Sequence, residues 1–365
     1  MEKKNLVIFL PNFSAGGAGN SILNICKNLN KKKYNIFVLS LKKNFYRNEL
    51  SKYCKEVFEI NGSSTLFSLS KINNYLEKFD KNNTLVISNI NYSNSLFVLY
   101  FKMLKKYKLI IIERTPYQEL SIYYSLRDFY KKIIIKTIIK FFYYKADALI
   151  ANSRKTAFDY QNILKKNCFY VYPLSFESKI NIKKKDKINN PVKLLTIARL
   201  SKEKKIEDQI YALKKIANTK YTLTIVGDGE LKVSLNNLIK KYKVRAKIVN
   251  YSNKNKLNYL KKSDLYICSS DFEGFPNTVV DAISFGLPVI SSRNHGGIYE
   301  ILLNGSGGEF YKTRDIDDLS YKITNAVKFY KKILKKSNIA KKALNRFSVS
   351  NIKKYENIFD KILIK

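Results

Sequence analysis

Glu273 and Asp281 stand eight positions apart in "EGFPNTVVDAISFGLPVI", a segment otherwise apolar and rich in turn residues. Acids are rarely buried without a partner. The segment reads as a loop, "DFEGFPN", then a helix over "TVVDAISF" capped by Asn277 or Thr278 and ended by Gly286. Glu273 then lies in the loop and Asp281 about one turn inside the helix, so both can face one crevice at its N-terminus. A carboxylate accepts two hydroxyl hydrogen bonds, and two carboxylates so placed suit the vicinal diols of a ribose and a hexose. The alternative is that both acids serve the positive end of the helix dipole.

Cations recur at comparable places. "IARLSKEKK" puts Arg199 just past an apolar run, with Lys204 five positions on. A guanidinium fork and an ammonium point charge there can grip a diphosphate. "IVGDGE" supplies a Gly-Asp-Gly turn, Gly227 to Gly229, and "PNFSAGGAGNS" puts Gly16 and Gly17 between an apolar run and a helical stretch. Glycines allow a tight turn and close backbone approach, and a helix N-terminus offers free N–H groups to an anion. The spacing is neither the dinucleotide G-x-G-x-x-G nor a P-loop. "NHGGIYEIL" adds the single histidine, His295, as a loop residue or a ligand contact.

These pieces need strands and helices to hold them. Continuous apolar runs at 5–10, 35–40, 84–88, 108–113 and 147–151 form one set of strands. Runs at 192–198, 221–226, 246–250, 264–269 and 287–291 form a second. Continuous runs fit strands covered on both faces, and helical patterns between them fit parallel sheets. A polar, basic, Pro-containing stretch at 178–193 separates the sets as a linker. The expectation is α/β: two doubly wound domains in tandem, with ligands beyond the carboxyl ends of the strands in a cleft between them.

Composition limits the options. The chain has 365 residues, 45% hydrophobic, which suits two cored domains rather than disorder. Lys and Arg number 68 against 29 acids, a net charge of +39 that draws phosphate-bearing partners. Four cysteines without a C-x-x-C pair suit a reducing cytoplasm. One histidine rules out a multi-histidine metal site. The D-x-D of "RDIDD" (314–318) precedes a helical stretch and reads as helix N-terminal acids. The N-terminal apolar run is too short for a secretory h-region and reads as a first strand. No apolar run reaches the roughly 18 to 20 residues of a membrane span.

The ordered set Arg199 and Lys204, Gly227 to Gly229, Glu273 with Asp281, Pro288 to Ile290, and Gly296 to Glu300 resembles the retaining glycosyltransferases of family 4, with the GT-B fold. The match is close over 194–310 and loose through the glycine-rich loop and "IANSRKTAFDY". It implies two Rossmann-like domains with parallel sheets facing a central cleft. An acceptor-side domain would span 1–178 with a crossover helix at 350–365, and a nucleotide-sugar-binding domain 179–349. Arg199 and Lys204 would clamp the donor's diphosphate, and Glu273 would sit beside the donor sugar as a catalytic group. Asp281 would hold the ribose. Gly274, Phe275, Pro276 and Asn277 would contact the sugar, with Thr278 and Gly227 completing the donor site. Gly16 and Gly17 would approach the phosphates. The second acid is Asp where the family has Glu, a shorter arm. The N-terminal-domain histidine of many relatives is missing, and "ERTPYQE" stands about there, making Glu113 and Arg114 acceptor-side candidates.

The resemblance implies transfer of a hexose or N-acetylhexosamine from a nucleotide sugar, UDP favoured, to a glycan or lipid-linked acceptor in bacterial surface polysaccharide synthesis. It implies no cofactor and no metal. The alternatives are an epimerase or hydrolase on the same fold, or a basic nucleic-acid-binding protein. The last has net charge alone behind it and no recognised motif, so no specific nucleic-acid partner is expected. "FYKKIIIKTIIKFFYYK" (129–145) is basic and apolar at helical spacing. Lys132, Lys136 and Lys140 should line one side, and Ile134, Ile138, Phe141 and Phe142 the other. It is either an interfacial helix on anionic lipid, at the inner face of the plasma membrane, or an ordinary core-facing helix.

Overall fold

The structure is a computed structural model that describes residues 2–13, 16–176, 187–216 and 220–364. It divides into two compact units, Met1–Ser175 with Val349–Lys365, and Phe176–Ser348. The boundary expected at residue 178 and most of the linker lie outside the described residues.

The first unit is built on seven parallel strands: β1 (Lys4–Phe9), β2 (Tyr34–Ser40), β3 (Glu56–Glu59), β4 (Thr84–Asn89), β5 (Lys108–Glu113), β6 (Ala148–Ala151) and β7 (Phe169–Tyr170). Their order is β3-β2-β1-β4-β5-β6-β7, so β1 is central, with Val7 registered against Phe37 on one side and Val86 on the other. Alternate residues of the inner strands enter different cores. Leu6, Ile8, Ile110 and Ile112 join one apolar cluster, and Val7, Phe9, Leu109 and Ile111 join another. Both faces are therefore covered, which is why these runs read as unbroken apolar stretches. The covering helices are α1 (Gly17–Asn28), α2 (Arg47–Leu50), α3 (Leu69–Leu76), α4 (Asn91–Phe97), α5 (Leu126–Phe142) and α6 (Arg154–Leu164).

The second unit carries six parallel strands in the order β10-β9-β8-β11-β13-β15 and a separate pair, β12 with β14. They are β8 (Val192–Ile197), β9 (Tyr221–Val226), β10 (Ala246–Val249), β11 (Leu265–Cys268), β12 (Phe272–Glu273), β13 (Val289–Ser292), β14 (His295–Gly296) and β15 (Glu309–Tyr311). Its helices are α7 (Ile206–Lys215), α8 (Lys232–Lys241), α9 (Asn253–Lys262), α10 (Asn277–Ser284), α11 (Ile298–Ile301), α12 (Ile316–Lys328) and α13 (Tyr330–Lys342). In both sheets the order turns back beside the first strand, β1 or β8, the kind of switch point where open α/β sheets bind ligands.

The last helix, α14 (Ile352–Ile364), belongs to the first unit. Tyr355, Ile358, Phe359, Ile362 and Leu363 recur at helical spacing and sink into the cluster that holds Leu6 and Ile8. Each such burial contributes roughly 1.5–3 kcal/mol before entropy is counted.

Two local expectations are corrected. Pro276 holds the N-cap position of α10, and no side chain caps that helix, so Asn277 and Thr278 are its first turn rather than its cap. On α5, Lys132 is not on a solvent-facing side. It is buried with Ile135 and Ile139, and its Nζ donates to Ile122 O at 2.7 Å and pairs with Asp128 at 3.0 Å. A long aliphatic stem lets lysine pack inward once its charge finds partners.

Candidate active site

In the second unit, β8 ends at Ile197 and the chain turns through Arg199. The Gly-Asp-Gly turn after β9 braces this bend. Leu200 N–H donates to Asp228 O at 2.9 Å, and Leu231 N–H donates to Leu200 O at 3.0 Å. A Cβ on Gly227 would stand 1.9 Å from Ala198 O, so only glycine lets the two turns approach this closely. Arg199 is thereby held at the carboxyl end of the sheet with its guanidinium exposed, Nη2 lying 3.3 Å from Glu203 Oε1.

Lys204 is placed differently. Its Nζ donates to Glu273 Oε1 at 2.7 Å, and both side chains are largely covered. Burial alone would lower the Lys204 pKa, but the charge and hydrogen bond of Glu273, with Glu203 behind them, outweigh it and raise the pKa. Glu203 answers in the opposite sense. Burial pushes it up, yet the Ser201 hydroxyl bond and the charges of Lys204 and Arg199 hold it below its ordinary value. Ser270 Oγ, at 2.8 Å, also donates to Glu273 Oε1.

Glu273 owes its place to the short pair β12–β14, in which it is registered against Gly296. Gly296 has φ +112, and a Cβ there would fall 1.7 Å from Glu273 O. Gly297 N–H then donates to Gly274 O at 2.8 Å. The "EGFP" loop and the "HGG" loop are thus sewn together by backbone bonds that only a glycine permits. Gly274, Phe275 and Pro276 are buried, and Asn277 and Thr278 are half-buried at the start of α10. The Thr278 hydroxyl lies 2.8 Å from that of Tyr266. His295 is exposed.

Asp281 lies one turn into α10, as the spacing predicts. It does not share a partner with Glu273. Its Oδ2 accepts from Lys256 Nζ on α9 at 3.1 Å. Burial raises its pKa, and Lys256 partly offsets that. The two acids are therefore each matched to a separate lysine. Lys256, Ser270 and Glu203 touch the candidates Asp281, Glu273 and Arg199, and motif reading misses them; the signal for each is contact in space.

The remaining candidates lie in the first unit. Gly16 is the N-cap of α1, and Gly17 is its first residue. A Cβ at Gly16 would meet nothing within 4 Å, so the fold itself leaves room there. Glu113 ends β5 fully buried, accepting from Asn94 Nδ2 and Tyr143 OH, each at 2.9 Å. Burial pushes its carboxyl up to about 7, against the two hydrogen bonds. In this structure it belongs to an interior network and presents no surface to an acceptor. Arg114, just past the end of β5, donates through Nε to Asn89 Oδ1 at 2.9 Å. Asn152 donates to its carbonyl at 3.0 Å. "RDIDD" forms a helix start: Asp315 caps α12 by accepting from Asp318 N–H, and Arg314 makes a two-pronged pair with Asp271 at 2.7 and 2.8 Å. Among the described residues no cluster of three or more His, Cys, Asp or Glu side chains is placed to hold a metal ion.

The motif segments of the second unit thus converge at the carboxyl ends of its strands. The family model for Glycosyl transferases group 1 matches residues 177–346, and that for Glycosyltransferase Family 4 matches 15–171. The chain belongs to the group 1 glycosyltransferases. An uncharacterised glycosyltransferase of Methanocaldococcus jannaschii is 33% identical over 192 residues, 47% of this chain and 46% of that one. The N-acetylgalactosamine-N,N'-diacetylbacillosaminyl-diphospho-undecaprenol 4-alpha-N-acetylgalactosaminyltransferase of Campylobacter jejuni is 30% identical over 203 residues, 54% of each chain. The chain thus spans about half the length of these two relatives. The Anabaena protein HepE, solved in complex with UDP-glucose, aligns with a TM-score of 0.79 at 17% identity, covering 98% of this chain and 99% of its own. This glycosyltransferase chain therefore has the GT-B fold, two parallel-sheet α/β domains.

Proposed function

We propose that the chain is a retaining glycosyltransferase that moves a hexose or N-acetylhexosamine from a nucleotide sugar, UDP favoured, to a glycan or lipid-linked acceptor in bacterial surface polysaccharide synthesis. The observation that carries this is the Lys204–Glu273 pair, held beside Arg199 at a sheet's carboxyl end in the register of the family motif. Cleaving the anomeric bond leaves negative charge on the departing diphosphate. Arg199 and Lys204 are fixed cations for that charge, and such preorganised groups are worth roughly 10²–10³ in rate each by analogy with oxyanion donors. Glu273, tied to Lys204 through one carboxylate oxygen, has acceptor capacity left for a sugar hydroxyl. Asp281 would take the ribose. HepE's UDP-glucose supports the donor class, and the Campylobacter relative's name supports a lipid-diphosphate-linked acceptor. No metal is called for in this scheme, since the cations named carry the leaving-group charge.

A calorimetric screen of UDP-, GDP- and ADP-sugars tests the donor. Wild type should bind one class, and Arg199→Ala and Glu273→Ala should each weaken it tenfold or more. Full binding by both variants would mean that the site is elsewhere. NMR of the product with a supplied acceptor reads the anomeric configuration; inversion would reject the retaining mechanism.

The acceptor class bears on location. No described helix is long and apolar enough to cross a membrane. α5, however, turns a row of large apolar side chains to solvent: Leu126 (78% exposed), Tyr130 (64%), Ile134 (60%) and Phe141 (56%), with Ile133 between them. Arg127, Lys131 and Lys140 stand exposed on the same helix. Apolar side chains flanked by cations suit the boundary of an anionic bilayer. The reading is peripheral attachment at the cytoplasmic face of the plasma membrane through this stripe.

A further inference from the structure

Lysine is abundant in this chain and mostly solvent-facing, but Lys256 is largely covered, with its side chain only 18% exposed. Its position is built. Ser252 caps α9 by accepting from Asn255 N–H at 3.0 Å, and Asn255 Nδ2 donates to Asn250 O at 2.9 Å. Tyr251 N–H donates to Asp228 Oδ2 at 3.0 Å, fastening the turn before α9 to the Gly-Asp-Gly turn that braces Arg199. Lys256 falls in the first turn of α9, and its Nζ meets Asp281 Oδ2 at 3.1 Å across the gap to α10. The bond engages Oδ2 and takes nothing from Oδ1.

Asp281 is the shorter acid at a family position of Glu, and it is mostly buried. Such an aspartate needs something to fix its direction and keep it charged. We propose that Lys256 is a positioning residue of the donor site, holding the Asp281 carboxylate by Oδ2 so that Oδ1 is presented to the ribose hydroxyls of the nucleotide. The proposal rests on the nucleotide-sugar reading above and adds to it a residue outside the family motif.

The electrostatic surroundings make the proposal specific. α10 carries no other charged side chain, and β11 and β13, which pack on it, carry only Tyr266 and Cys268 as titratable groups. Tyr266 OH is engaged with Thr278. α13, which also packs on it, carries lysines of its own, and the ion pair that Asp281 makes is with Lys256. Without Lys256, burial of Asp281 goes unopposed and the acid takes up a proton more readily.

The test measures UDP binding by calorimetry between pH 6 and 8.5 for wild type, Lys256→Met, Lys256→Arg and Lys256→Met with Asp281→Asn. Wild type and Lys256→Arg should bind alike. Lys256→Met should bind about tenfold more weakly across the range, and more weakly toward its acid end, because the unheld Asp281 both loses its direction and takes up a proton more readily. Adding Asp281→Asn should remove the pH dependence. Binding by Lys256→Met that equals wild type at every pH, or a loss that Lys256→Arg shares alongside a lowered Tm, overturns the proposal and leaves the donor reading intact. Wild type that binds none of UDP, GDP and ADP overturns both.

Discussion

Lys204 and Glu273 are 69 positions apart in sequence and 2.7 Å apart in space. Each is largely covered, so removing either leaves a charge poorly solvated, which costs far more than losing a surface pair. Lys204→Met should destabilise the protein by about 1–3 kcal/mol, since the pair is not fully dry. Glu273→Gln keeps a hydrogen-bond acceptor for Lys204 and should cost less. Both should reduce transfer by roughly 10²–10³ if the cation faces the departing diphosphate. Thermal unfolding separates the two effects. An unchanged rate in a folded Lys204→Met protein would remove that residue from the chemistry.

Gly296 gives a sharper structural test. Its φ of +112 is unfavourable for any L side chain, and its missing Cβ leaves room for Glu273 O. Gly296→Ala must therefore break the β12–β14 pair and shift Glu273. A loss of more than about 2 kcal/mol is expected from backbone strain of this kind, together with lost donor binding. Gly16→Ala, where a Cβ meets nothing, should leave stability unchanged. Any loss of binding in that second variant would then report a ligand's approach rather than the fold.

These residues also show what could be read in advance. The ten strands with long apolar runs are all present, because strands covered on both faces are apolar at most positions; β10, none of whose residues is buried, is the exception. β7, β12, β14 and β15 escape notice because each has three residues or fewer, and β3 because Glu56 and Glu59 leave only two apolar residues between them. Motif spacing gave Arg199, Lys204, Glu273 and Asp281. It could not give Lys256 or Ser270, whose relevance exists only after folding brings them to the acids. Glu113 shows the reverse limit. An acid at a strand's end looks available in one dimension, yet its direction across the pleat sends it into the core beside Tyr143.

The α5 stripe predicts a membrane response. Replacing Ile133 and Ile134 by Asp puts two acids among the exposed apolar side chains and leaves the buried Ile135 and Ile139 untouched. Co-sedimentation with vesicles rich in an anionic phospholipid should fall at least tenfold, with little change in Tm. Wild-type binding should weaken as salt rises and be minor on zwitterionic vesicles. Equal binding to both vesicle types would reject electrostatic attachment. Wild-type binding by the double variant would move the attachment away from α5.

Glu113 makes stability depend on pH. Its ordinary value is 4.5, and burial raises it to about 7 in the folded chain. Below the ordinary value both folded and unfolded forms are protonated, and the acid costs nothing. Between the two values the folded form holds more protons than the unfolded form, so stability must fall as pH rises. Above about 7 the full penalty is present, at most around 3 kcal/mol at 1.36 kcal/mol per pH unit. Glu113→Gln can still accept from Asn94 and Tyr143 and has no charge to bury. Its Tm relative to wild type should therefore increase between pH 5 and pH 7.5 and then level off. A difference that does not change across this range would mean that Glu113 is no more basic in the folded chain than in the unfolded one.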